Sequence, residues 1–142
     1  MRLKQFAATC VCLMSTTVFA QSSCESTDLY QYMEDLKTEL KSFSFEVKKG
    51  DLTSAGGRID SMLSLLEKSR TEQPFLFQEK GLQGDELALR QSQYQKGIDR
   101  VIGQFNKIDL AIKANKPGEV KALMSEVGKS RKKGHRAFNG DC

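Results

Sequence analysis

The sequence predicts an all-α chain folded as an antiparallel, up-down-up-down four-helix bundle, and three observations lead there. Apolar residues recur at spacings of three and four from Leu29 onward, the period of a helix with one buried face. No stretch alternates Val, Ile or Thr with polar residues, as a half-buried strand would. The only two prolines, Pro74 and Pro117, fall at junctions between the periodic runs.

Each helix follows from its own stripe. The first carries Leu29, Met33, Leu36, Leu40, Phe43 and Val47. Gly50 can end it in a left-handed conformation, and Asp51 can cap the next helix. The second stripe is Leu52, Ala55, Ile59, Met62 and Leu66. EQPFLFQEKGLQG follows, a longer connection whose Phe75, Leu76 and Phe77 are expected to fold back onto the bundle. The third stripe runs through Leu87, Tyr94, Ile98, Val101, Phe105, Ile108 and Ile112. Asn115-Lys116-Pro117-Gly118 stops that helix, and Pro117 suits the first turn of the fourth. The fourth begins with Val120, Leu123 and Val127, after which its inner positions become Arg131, His135 and Phe138. Short first and third loops make sequential helices antiparallel neighbours.

Residues 1–20 read as a signal peptide rather than as part of the fold. Arg2 and Lys4 precede an uncharged run ending in small residues, and cleavage is expected after Ala20. The run is too short and too polar at its end for a good membrane span. Residues 21–142 then form one bundle domain, expected to be exported. Export removes two of the 22 basic residues and none of the 18 acidic ones, which leaves 20 against 18. A surface so balanced argues neither for nucleic acid nor for an anionic membrane as partner. The basic stretch RKKGHR is accounted for by the preference of helix C-termini for cations. Cys10 and Cys12 leave with the signal. Cys24 and Cys142 remain, and an even-numbered bundle brings the two chain ends together, so a disulfide between them is expected. Closing so long a loop contributes up to ~4–5 kcal/mol in the chain-entropy model.

Candidate chemistry is concentrated at the same end of the bundle. The chain from residue 21 on has no HExxH, no CxxC and no Gly-rich phosphate loop after a strand, which reduces the candidates to His135 and what faces it. It holds a single histidine, His135. At 1.5 Å per residue Met33 lies about ten ångströms into the first helix, and His135 roughly seven into the last. A thioether and an imidazole at one level on facing helices can serve as an axial pair for haem iron. Plainer roles stay open: methionine often fills gaps in cores, as Met62 and Met124 are read to do. A histidine near a helix end can simply bond a terminal carbonyl.

The arrangement resembles the soluble cytochromes b562, periplasmic haem proteins. DLYQYMEDLKTELK is similar to that family's first helix, with Met33 in the place of its methionine ligand. YQKGIDRVIGQFNKIDLAIKANKPGEVKALM is similar to its third helix, turn and early fourth helix. SRKKGHRAF corresponds to the stretch that carries the histidine ligand, with Arg131 in the place of a nearby arginine. The resemblance spans residues 28 to 138. There are departures: the lining aromatic of the third helix stands as Tyr94, a second is Ile98, and Gly134 sits inside the fourth helix beside the ligand position.

The resemblance implies electron transfer through one haem b, with Met33 and His135 as axial ligands. Leu29, Leu36, Tyr94, Ile98 and Val101 would wall the ring by their stripe positions, and Arg131 or the adjacent lysines would neutralise a propionate. The related cytochromes c′ attach haem through C-x-x-C-H. Here those positions are Arg131 to His135 with no thiol, so the haem is expected to be noncovalent. A monomer and an unidentified redox protein as partner complete the expectation. Two rivals stand beside it: a haem-free envelope protein that binds other proteins, and a haem carrier or sensor.

Overall fold

The computed structural model describes residues 23–140. The expected signal peptide and Cys142 lie outside the described residues. A short 3-10 turn, Cys24–Ser26, leads into α1 (Asp28–Lys49), α2 (Leu52–Gly57), α3 (Ile59–Thr71), α4 (Phe75–Glu79), α5 (Gly84–Lys113) and α6 (Pro117–Phe138). The bundle helices are α1, the α2–α3 pair, α5 and α6, and among the described residues there is no strand. No described helix is long and apolar enough to cross a membrane.

The joints form as their residues dictate. Thr27 caps α1 by accepting a bond from the Tyr30 amide at 3.2 Å. Gly50 closes the helix at φ +81°, and the amides of Gly50 and Asp51 return to the Val47 and Glu46 carbonyls. Those bonds satisfy acceptors that the helix end would otherwise leave open. Asp51 then caps α2 by accepting from the Ser54 amide and hydroxyl, and these bonds hold its carboxyl below the usual carboxylate range. Asn115, at φ +51°, turns the chain after α5, and Pro117 occupies the first turn of α6.

The second bundle helix departs from the continuous stripe. It breaks at Arg58, after Gly56 and Gly57, two residues that favour helix least apart from proline. The Arg58 guanidinium bridges to Glu46 and Glu39 of α1, which holds the break against its neighbour. The long connection also gains a helix of its own, α4. Its Phe77 is fully buried and Leu76 packs against the core, as the sequence leads one to expect.

The core is filled unevenly along the bundle axis. Phe43 and Val47 of α1, Ala55 of α2, Ile108 and Ala111 of α5 and Val120 of α6 are buried at one end. Towards the other end the α1 stripe continues as Leu29, Met33, Leu36 and Leu40, all only partly buried. Helix α5 packs closely on α6 and α3, and α1 on α3, whereas α1 and α6 barely touch. The bundle therefore has an open seam between its first and last helices.

Candidate functional site

That seam is a cleft with two lobes. The outer one, about 420 Å³, lies between α1, α6 and the Pro74–Phe75 corner. The inner one, about 410 Å³, reaches in between α1, α5 and α6. Met33, Leu36, Leu40, Arg131, Gly134, His135 and Phe138 line both, so the two lobes share these walls. The residues anticipated as a site assemble here. Leu29 faces the outer lobe, while Tyr94, Ile98 and Val101 face the inner one.

Helical period explains why they meet. Met33 falls four residues after Leu29 and three before Leu36, on the inward stripe of α1. His135 falls four after Arg131 and three before Phe138 on α6. Because α1 and α6 diverge, these inward positions border open space instead of a packed core. His135 is exposed along the cleft, yet enough of its ring is enclosed that burial pushes its pKa below the ordinary value. The Arg131 charge adds to that shift. The neutral imidazole so favoured is the form whose ring nitrogen can ligate a metal.

The back wall is rigid. Tyr94 donates its hydroxyl to the Ser69 carbonyl at 2.7 Å inside the protein. Burial and the charge of Glu72 push its pKa up, so it stays a protonated donor. Phe138 meets the Tyr94 ring edge-on at 5.5 Å and the Phe77 ring at 6.1 Å. Sequence reasoning missed Arg90, which lies over both Phe77 and Phe138 and donates to the Ala137 carbonyl at 3.0 Å. Its partners come from α4 and α6, so no local pattern marks it. Also unanticipated were Lys96 and Arg100, which stand with Lys133 at the mouth of the inner lobe.

The donor set tests what such a space could hold. Among the described residues no group of three or more His, Cys, Asp or Glu could bind a bare metal ion. A thioether and an imidazole across an apolar slot suit a metal that brings its own equatorial ligands. Gly134 contributes to the room, since a Cβ there would meet nothing within 4 Å. The five cations of the inner lobe, with no carboxylate among its lining residues, suit an apolar group with acidic substituents. The residues present therefore fit a haem.

Fold and site together define a four-helix bundle with an open, largely apolar cleft between its first and last helices. The family model for cytochrome b562 matches residues 28–139, and the chain belongs to that family. It is thus a haem-binding helical protein, from a family of electron carriers rather than enzymes. Neither the search of curated proteins nor that of solved structures finds a match.

Proposed function

We propose that this chain is a periplasmic electron carrier that holds one noncovalent haem b between Met33 and His135. The observation that carries the reading is that these two side chains line the same cleft from the first and last helices. When bound, haem b supplies a one-electron ferric–ferrous couple. The chain's part is to hold and tune it. Met33 offers a thioether, which favours the ferrous state and raises the potential relative to a second histidine. His135 offers a neutral nitrogen. Leu29, Leu36, Ile98 and Val101 exclude water from the slot, and Tyr94 closes its back with its hydroxyl turned away toward Ser69. Arg131 stands where it can meet a propionate. Met33 and His135 would both be engaged in holding the group, and no catalysis is assigned to the chain.

Domain limits and location belong to the same reading. Residues 1–20 act as a cleaved signal and residues 21–142 as the exported monomer. A Cys24–Cys142 link follows from the even number of bundle helices, which returns the end of α6 to the end of the bundle where Cys24 stands. Intact mass of the secreted protein checks both: it should begin near Gln21 and offer no alkylatable thiol until reduced. The haem assignment is tested by the visible spectrum of the purified protein, oxidised and reduced. A six-coordinate low-spin spectrum is expected. Protein that stays colourless with added haemin would instead be a haem-free binding protein, and a spectrum that fades quickly on dilution would indicate a haem carrier.

A further inference from the structure

The inner lobe is lined by five cations, and one of them is part of its wall. Arg90 is committed to the Ala137 carbonyl and to two aromatic faces. Lys96, Arg100, Arg131 and Lys133 remain, all exposed. Among the described residues none of these four forms an ion pair. They come from two antiparallel helices. Counted from the turn after α5, Arg100 and Arg131 stand at one height and Lys96 stands level with His135. From residue 21 on the chain has 20 basic residues against 18 acidic ones, so four cations along one cleft are a local concentration on a nearly balanced surface. A preference of the α6 C-terminus for cations does not explain why α5 adds two more across the same cleft.

We infer that this cationic rim is the docking site for an acidic patch on the protein that exchanges electrons with this chain. The inference rests on the haem reading. A haem b has two carboxylates, which leave at least two of the four cations uncompensated at the cleft mouth. Uncompensated like charges at a cleft mouth create a local field that speeds encounter with an anionic partner and orients it toward the site. Such a partner would meet the chain where the slot opens.

The test uses haem-loaded mature protein whose spectrum is recorded first. Lys96→Glu/Lys133→Glu is compared with Lys107→Glu/Lys121→Glu, which alters net charge equally at the far end of α5 and α6. In one readout, polyglutamate is titrated into the ferrous, isotope-labelled protein. Amides around Lys96, Arg100, Arg131 and Lys133 should shift first, and the rim variant should bind at least roughly threefold more weakly. In the other, oxidation by hexacyanoferrate(III) should slow on the order of tenfold between low and physiological ionic strength in wild type and the far-end control. The rim variant should lose most of that slope. Equal behaviour of the two variants would assign the effect to net charge and overturn the inference. Tighter binding to phosphatidylglycerol vesicles than to polyglutamate would overturn it in favour of a membrane surface. A wild type without a haem spectrum fails the haem reading and takes this one with it, whereas a normal spectrum with equal slopes fails this one alone.

Discussion

At the scale of single residues, the proposed haem site rests on Met33 and His135, and their removal should have unequal effects. Met33→Ala should keep haem on His135, with an open or water-filled sixth position and a lower potential. His135→Ala should weaken haem more, by at least about tenfold, because a thioether alone is a poor ligand for ferric iron. Met62→Ala is the control: Met62 is fully buried in the packed core, so about 2–4 kcal/mol of stability should go while the low-spin spectrum stays. A wild-type spectrum and potential in Met33→Ala would reduce Met33 to a wall residue. His135 also gives the apo-protein a pH signature. Its folded pKa is lowered, so the unfolded chain binds its proton more readily. Stability should therefore fall as pH drops through about 6.5, then level off below the folded value. As the only histidine, it should leave this window flat when replaced by Gln. The place of Met33 and His135 at the cleft was legible because each continues an apolar stripe at a depth that can be counted. Arg90, Lys96 and Arg100 were not, because their significance lies in neighbours on other helices, as in the bond from Arg90 to Ala137.

At the scale of elements, the joints were legible and the irregularities were not. Gly50 announces a left-handed helix end because no other residue takes positive φ so easily, and φ there is +81°. Gly50→Ala should cost about 1 kcal/mol by denaturant unfolding, and wholly through backbone conformation, since a Cβ there meets nothing within 4 Å. The break at Arg58 follows no apolar period: it depends on two glycines and on carboxylates from α1 that pattern cannot place. Helix α4 was hidden because five residues are too few to display a period. Between α3 and α5, Tyr94→Phe should cost about 1 kcal/mol by removing the bond to Ser69. Because that hydroxyl points away from the cleft, the haem spectrum should change little. A large spectral change would place the hydroxyl in the slot.

At the scale of the whole molecule, the uneven core predicts an uneven stability. The end holding Phe43, Val47 and Val120 is packed, whereas Leu29, Met33, Leu36 and Leu40 face the seam where α1 and α6 barely touch. In the apo-protein, amide exchange should be slower around Phe43 and Val47 than in the first turns of α1 or the last turns of α6. Haem would join those two helices through Met33 and His135 while covering the apolar residues between them. A ligand that binds the folded chain alone stabilises it by about 2.7 kcal/mol at a hundredfold excess over its dissociation constant. For a domain of this size that corresponds to a rise in unfolding midpoint of about 10 °C. The gain should be localised as well as global. Exchange should slow most along Leu29–Leu40 and Arg131–Phe138, and least around Phe43 and Val120. Equal midpoints with and without saturating haem, or protection spread evenly along all helices, would mean that the seam between α1 and α6 is not where haem binds.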